Sequence, residues 1–162
     1  MTRIGIMSDT HGVLNDAVFK NFEQCDEIWH AGDIGDIQTF DKLNEFKPLR
    51  IVFGNIDGHE LRRVCKEDLV FEIEEHKIYM THIGGYPGKY NYRAASVIRE
   101  VSPDIFICGH SHILKIMPDP KNNLLHINPG AAGNTGFHKV KTLVRLSLEP
   151  GKIFDVEVIE FK

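Results

Sequence analysis

Apolar positions in the first third of the chain alternate between short runs and helical stripes. Ile4 to Met7 is an apolar run that predicts a strand, and it ends in the polar segment Ser8-Asp9-Thr10-His11-Gly12. Leu14, Val18, Phe22 and Cys25 follow at helical spacing. Ile28-Trp29-His30 predicts a second strand, closed by Ala31-Gly32-Asp33. Ile37, Phe40, Leu43 and Phe46 predict an amphipathic helix that Pro48 stops. Leu49 to Phe53 gives a third strand, ending at Gly54-Asn55. This βαβαβ order predicts parallel strands joined by helical crossovers.

The rest of the chain is richer in strands. Leu69 to Ile73 and Lys77 to Thr81 flank the polar turn Glu74-Glu75-His76 and predict a hairpin. Ala94, Val97, Ile98 and Val101 make a helical stripe, stopped by Pro103. Asp104 to Cys108 predicts a buried strand running into Gly109-His110. Leu114 to Met117 and Leu124 to Ile127 flank a polar turn, and Thr142 to Leu148 and Ile153 to Phe161 flank Glu149-Pro150-Gly151-Lys152. The Gly84-Gly85-Tyr86-Pro87-Gly88 stretch reads as a loop, because strands continue on both sides of it. The pattern predicts an α/β protein of two packed mixed sheets with helices outside, forming one domain over residues 1–162.

Composition narrows the class. With 42% apolar and 26% charged residues the chain has the profile of a globular protein. A formal net charge of −4 lacks the basic excess of a nucleic-acid binder, so no stable nucleic-acid partner is expected. Cys25, Cys65 and Cys108 are odd in number and widely spaced, which predicts buried free thiols rather than a disulfide framework. The N-terminus turns polar too soon for a signal peptide, and no apolar run approaches the length of a bilayer. The expectation is a cytoplasmic protein without a membrane partner.

Candidate chemistry collects at the predicted strand ends. Asp9 and His11, Asp33, Asn55, His82, and His110 and His112 each lie where an apolar run gives way to a turn. A parallel sheet gathers the carboxyl ends of its strands along one edge, so residues distant in sequence can converge there. Seven oxygen and nitrogen donors at such an edge can hold two divalent cations. Asp9 alone could be an N-cap, but that leaves His11 unexplained; two residues apart on extended chain, both side chains project to one side. Gly32 permits a sharp turn before Asp33, whose carboxylate can bridge two cations. Asp36 precedes the Ile37 helix and reads as its cap or as support for the site rather than as a ligand. Asn55 and His82, taken singly, are ordinary turn and strand-end residues. His110 and His112 repeat the spacing of the first pair, and neutral imidazole is the commonest metal-binding side chain.

The order D-x-H, G-D, G-N, a lone His and G-H-x-H resembles the calcineurin-like metallophosphoesterases, and the small size resembles their compact YfcE-type phosphodiesterase group. The resemblance spans essentially the whole chain. It implies a four-layer αββα sandwich of two mixed β-sheets flanked by helices. It also implies that Asp9, His11, Asp33 and His112 bind one metal and Asp33, Asn55, His82 and His110 the other, with Asp33 bridging. Asp33, Asn55 and His82 would then position the nucleophile and the phosphate, with Asp57 orienting its neighbours. The cofactors would be two divalent metal ions, manganese first, with iron, nickel, cobalt or zinc compatible with mixed N/O ligands. A water or hydroxide bridging the metals would attack a small phosphate-ester substrate in line.

One position departs from the pattern. Many family members carry Gly-Asn-His-Asp/Glu, whose histidine is taken to protonate the leaving group. Here the segment is Gly54-Asn55-Ile56-Asp57. The YfcE-like group also lacks that histidine and is associated with diesters, so the expected activity is phosphodiester hydrolysis. His59 is the nearby substitute acid to weigh against a plain surface histidine. His30 reads equally as support of the site or as an ordinary strand-end histidine, and His126, before the Asn128-Pro129-Gly130 segment that resembles the family's N-P-G, as supporting the site or shaping its loop; His76 and His138 read as solvated turn residues. Lys89, Arg93, Arg62 and Arg63 read as solvated charges that could also meet substrate phosphate. Two alternatives stand beside a phosphodiesterase: a phosphomonoesterase on the same site, and a non-catalytic protein-binding scaffold. A retromer subunit resembles this fold and works through its surface with an altered metal site.

Overall fold

The computed structural model describes residues Met1–Lys162. In chain order the elements are β1 (Thr2–Met7), α1 (Asp16–Phe22), β2 (Glu27–His30), α2 (Ile37–Phe46), β3 (Leu49–Ile51), α3 (His59–Val64), β4 (Asp68–Ile73) and β5 (His76–Thr81). There follow β6 (Gly85–Tyr86), β7 (Lys89–Tyr90), α4 (Tyr92–Val101), β8 (Ile105–Ile107), β9 (Lys115–Asp119), β10 (Leu124–Asn128), β11 (Lys141–Glu149) and β12 (Lys152–Phe161).

Two five-stranded sheets form, in the orders β12-β11-β1-β2-β3 and β4-β5-β8-β10-β9. At the centre of the first, β1, β2 and β3 run parallel, as the alternating periods require. The C-terminal hairpin returns to this sheet and pairs β11 antiparallel to β1. In the second sheet β5, β8 and β10 run parallel, with β4 and β9 antiparallel at the edges.

Strand alternation sorts the side chains into layers. Ile4, Ile6, Trp29, Val144 and Leu146 of the first sheet meet Ile78, Met80, Ile105, Ile107 and Ile127 of the second in one buried cluster. The alternate positions face the helices: Met7, Ile28 and Leu143 pack with Val18 and Phe22 of α1 and Leu43 of α2. On the far side Tyr79, Phe106 and Cys108 pack with Ala94 and Ile98 of α4. The result is the four-layer αββα sandwich.

Local signals account for most boundaries. Asn15, not Asp9, caps α1, accepting from the Ala17 N–H at 2.9 Å, so Asp9 is left free of that duty. Asp36 caps α2 through the Thr39 N–H at 2.8 Å. The turn between β4 and β5 places Glu74 and Glu75 at φ of 50° and 63°, the geometry of a tight hairpin turn. Two regions depart from expectation: the segment around His59 is the helix α3, and the Gly84–Gly88 loop contains the two-residue strand β6, which pairs with β7 just after it. The three cysteines are free and buried, and Trp29 lies in the core. No helix is long and apolar enough to cross a membrane.

Candidate metal centre

The carboxyl ends of β1, β2, β3, β5 and β8 open toward one place between the sheets, and the seven candidate ligands leave from them. Backbone hydrogen bonds stitch the exits together: Asp9 N–H to Gly32 O (2.9 Å), His11 N–H to Asp33 O (3.0 Å) and Gly109 N–H to His82 O (2.9 Å). Asp9, His11 and His112 offer ligand atoms within 4.8 Å of one another, and so do Asp33, His82 and His110. The two groups touch. Asp33 Oδ2 lies 3.4 Å from His11 Nε2 and 3.2 Å from His82 Nε2. Asp9 Oδ1 lies 3.2 Å from His112 Nε2 and 3.8 Å from His82 Nε2. The Asn55 amide oxygen faces His110 Nδ1 at 3.1 Å.

The backbone at these positions is unusual. Asp9, His11, Asp33, His110 and His112 have φ of 55°, 46°, 58°, 72° and 63°. Non-glycine residues adopt such angles rarely and at some energetic cost. The expectation of extended D-x-H and H-x-H segments is therefore corrected: left-handed turns, not strand alternation, aim each pair inward. Gly32, at φ 102°, makes the turn out of β2. Gly54 is required for another reason, since a Cβ there would collide with the Asp33 carboxylate and backbone.

Surrounding groups fix the orientation of the donors. Ser8 Oγ (2.7 Å) and the His110 N–H (3.1 Å) both donate to Asp9 Oδ2, leaving Oδ1 directed at the histidines. His82 Nδ1 lies 2.7 Å from the Ala31 carbonyl, which can only accept, so that nitrogen carries the proton and Nε2 presents its lone pair. Asp33 Oδ1 accepts from the Ile56 N–H at 3.1 Å. Asp57 is almost fully buried, and its carboxylate accepts from the N–H groups of Ile34 (3.0 Å), Gly35 (2.9 Å) and Gly54 (2.8 Å). It clamps the loop after β2 to the loop after β3.

The donor set fits a cation. Asp9 Oδ1, His11 Nε2 and His82 Nε2 are buried without a hydrogen-bond partner, with both histidine nitrogens beside Asp33 Oδ2 and Asp9 Oδ1 near His82. Buried polar atoms are seldom left so, and several together at one spot match a bound ion. Burial works against the Asp33 carboxylate, but His82, the Ile56 N–H and His11 outweigh it and hold the carboxyl below its ordinary range. Burial likewise opposes charge on His82, yet Asp33 and Asp9 raise its pKa. The Asp9 carboxylate raises that of His112.

Other sequence candidates fall into place or outside it. His30 is fully buried beneath the site, its Nε2 3.0 Å from Thr10 Oγ1 and its Nδ1 accepting from the Gly32 N–H at 3.1 Å. Burial pushes its pKa down to about 4. His59 is exposed on the first turn of α3 with no hydrogen bond to the centre. His76 is not a solvated turn residue: its ring is buried and Nε2 lies 2.8 Å from the Glu149 carbonyl, because the β4–β5 turn folds against the β11–β12 turn. His138 is half-buried, with Nε2 2.7 Å from the Gly133 carbonyl and its ring 5.3 Å from that of His112. Arg62 donates to the Asp57 carbonyl at 2.6 Å and braces the Gly54–Asp57 loop, a role its helix-surface position concealed. Arg93 pairs with Asp68 and with Glu67. Ser8 went unnoticed in the sequence; a hydroxyl directly before a candidate carboxylate was its only signal.

Comparison with known proteins agrees with this geometry. The family model of the calcineurin-like phosphoesterase superfamily domain matches residues 2–151. A probable metallophosphoesterase of Methanocaldococcus jannaschii is 33% identical over 152 residues, covering 90% of this chain and 76% of that protein. Among solved structures, a novel archaeal phosphodiesterase superimposes with a TM-score of 0.79 at 23% identity, covering 98% of this chain and 99% of its own. Vps29 of Entamoeba histolytica in complex with zinc superimposes with a TM-score of 0.73 at 18% identity, over 99% of each chain.

Proposed function

This chain belongs to the calcineurin-like phosphoesterase superfamily, and from that membership we propose that it is a phosphodiesterase with a two-ion centre, acting on a small or nucleotide-like diester. The observation that carries the reading is the place of Asp33 Oδ2, between His11 Nε2 at 3.4 Å and His82 Nε2 at 3.2 Å. One carboxylate oxygen thus stands between both groups of ligand-type atoms, as a bridging ligand would. Asp9, His11 and His112 would hold one ion, and Asn55, His82 and His110 the other, with Asp33 shared. Manganese is the metal assigned first, and iron, nickel, cobalt and zinc suit the same donors. When bound, two divalent cations supply charge that polarises phosphoryl oxygens and lowers the pKa of water held against them.

The chain's own residues do the rest. Ser8 and the His110 N–H hold Asp9 with one oxygen inward; the Ala31 carbonyl holds His82 in one tautomer. Asp57 keeps the Asp33 and Asn55 loops at fixed separation through three backbone N–H groups. Arg62 lines a small cleft with Asn55 and His82, where its charge favours phosphoryl oxygens, while Arg93 at the same cleft is paired with Glu67 and Asp68.

The preference for diesters rests on the resemblance to the YfcE-type group, which likewise lacks a histidine at the position of Ile56; the residue itself bears on the leaving group. It stands beside the centre, its N–H on Asp33, and its side chain has no proton to give. General-acid help is worth roughly 10²–10⁴-fold, so good leaving groups are favoured over poor ones. The archaeal phosphodiesterase of the same fold is consistent with this. The test is hydrolysis of bis(p-nitrophenyl) phosphate by manganese-loaded protein. Turnover that chelation abolishes and Asp33→Asn lacks is expected; loaded protein no faster than Asp33→Asn on mono- or diesters overturns the reading. Relative kcat/KM for a matched monoester and diester separates a phosphomonoesterase from a phosphodiesterase. Residence in the cytoplasm is part of the same proposal.

A second reading, a protein-binding scaffold, draws on the exposed side chains of Ile56, Ile83, Ile113 and Phe137 near the centre and on the likeness to Vps29. A stable complex recovered from cells together with absent turnover would favour it.

A further inference from the structure

A phosphodiester has two arms, and two clefts flank the centre. The one beside His82 is small, and Glu67 lines it as well as Arg62 and Arg93. The other lies against His110 and encloses about 510 Å³. Small-molecule sites typically enclose roughly 300–1,000 Å³. The chain carries a net charge of −4, yet no Asp or Glu lines this second cavity, whereas Lys89 and Lys115 both do.

The fold brings these two ammonium groups to one place. Tyr86 and Lys89 are directly opposed across the β6–β7 hairpin, so their side chains share a face. Lys115, at the start of β9, sets its Nζ 5.1 Å from the centre of the same Tyr86 ring. Neither lysine belongs to any ion pair of the protein. Two like charges gathered at one ring, with no carboxylate to offset them, favour an anion.

Most other polar side chains of the lining are already engaged. The Tyr90 hydroxyl donates to Asp119 at 2.9 Å, and Asn91 caps α4 through the Arg93 N–H at 3.0 Å. Asn128 donates to Ser111 Oγ at 3.0 Å and to the Gly109 carbonyl at 3.1 Å. His126 is fully buried against Tyr90 and Phe106, with ring centroids 5.8 and 5.7 Å away, and its nitrogens have no surface to offer a ligand. The apolar lining is open by contrast. Ile83 and Ile113, next in sequence to His82 and His112, are 40% and 63% exposed.

We propose that this cavity receives one arm of the substrate diester and that the arm carries an anion of its own, a phosphate or a carboxylate. Lys89 and Lys115 hold that anion, and the arm's carbon skeleton lies against Ile83 and Ile113. The proposal rests on the phosphodiesterase reading above and deepens it by naming a class: diesters with a second negative group. A cationic arm would meet two like charges. An uncharged arm would cover the isoleucines and leave the lysines without a role.

The first test needs no turnover. Chelator-treated protein is titrated with hexyl phosphate and with hexanoate, with hexan-1-ol as the uncharged reference. NMR follows the side-chain signals of Lys89 and Lys115, the Tyr86 ring and the Ile113 methyl groups. Saturable shifts with an anion and none with the alcohol are expected, with affinity about tenfold weaker in a Lys89→Gln, Lys115→Gln double variant. A response to one anion alone upholds the site and identifies its group as phosphate or carboxylate. Equal shifts from the alcohol, no shifts at all, or an affinity unchanged in the double variant overturn the proposal.

The second test uses manganese-loaded protein and three esters with one leaving group. These are p-nitrophenyl 5-carboxypentyl phosphate, p-nitrophenyl 5-phosphonooxypentyl phosphate and the uncharged p-nitrophenyl hexyl phosphate. An anionic arm is expected to raise kcat/KM about tenfold over the hexyl ester, and the double variant to erase that preference. No preference in the unaltered protein, or one that survives in the double variant, overturns the cavity assignment and leaves the phosphodiesterase reading standing. Anion shifts in the cavity with no turnover of any ester leave the anion site standing and sink the phosphodiesterase reading instead.

Discussion

His82 Nε2 lies 3.2 Å from Asp33 Oδ2 while its Nδ1 is held 2.7 Å from the Ala31 carbonyl. The imidazole is therefore fixed at both ends, one nitrogen committed to the backbone and the other directed at a carboxylate that also faces His11. Removing the Asp33 charge should loosen both of the proposed ion positions at once. Asp33→Asn is expected to bring turnover down to the metal-free background and to weaken metal uptake, as read by calorimetric titration. Full metal uptake with lost turnover would place Asp33 in chemistry alone.

Asp57 is a structural clamp with a functional consequence. Asp57→Ala strands the buried N–H groups of Ile34 and Gly54. Stranded donors cost about 1–3 kcal/mol each, so a loss of a few kcal/mol in urea unfolding is expected. Groups that orient ligands typically carry roughly 10–100-fold in metal affinity. A variant with native stability and native metal affinity would show that the clamp is dispensable.

Ile56 is 47% exposed, so a histidine there meets little steric resistance. Ile56→His is expected to raise kcat for esters with poor alkyl leaving groups by roughly 10²-fold. Esters with a p-nitrophenolate leaving group should change far less. Equal acceleration of both substrates would argue against proton donation.

Acid should weaken the fold through its neutral buried histidines. His30 and His126 have pKa values pushed down to about 4 from the ordinary 6.5, chiefly by burial. The unfolded chain takes up those protons first, so their contribution is full above pH 6.5 and is lost as pH falls toward 4. At pH 5 the loss is about 2 kcal/mol per group. His82 and His112 have raised values and act in the opposite sense in metal-free protein, contributing below 6.5 and fading as pH rises through the raised values. Urea unfolding of chelated protein at pH 7 and pH 5 checks this. In His126→Leu the difference between the two pH values should shrink by about 2 kcal/mol. An unchanged difference would contradict a neutral His126.

Much of this architecture was legible in the sequence because its strands are buried on both faces. Runs such as Ile4–Met7 and Ile105–Cys108 are apolar throughout, with one parity for the sheet interface and the other for the helices. The helix α3 escaped because only Leu61 along it is buried, which leaves no apolar stripe to read. The partner of the C-terminal hairpin escaped too: pairing of β11 with β1 joins residues at opposite ends of the chain, which alternation along either strand does not specify. At the centre, the seven ligand-type residues could be picked out by type and order. Their delivery could not, since left-handed conformations at Asp9, His11, Asp33, His110 and His112 are set by the loops that cross beneath them. The burial of His76 was hidden for a related reason, since its partner Glu149 comes from a distant turn, whereas His138 meets the Gly133 carbonyl within its own β10–β11 loop.

The most direct measurement of the central claim is an anomalous difference map from crystals of manganese-loaded protein. Two peaks are predicted, one among Asp9, His11 and His112 and one among Asn55, His82 and His110, with Asp33 between them. A single peak, or strong peaks away from these residues, would contradict the account.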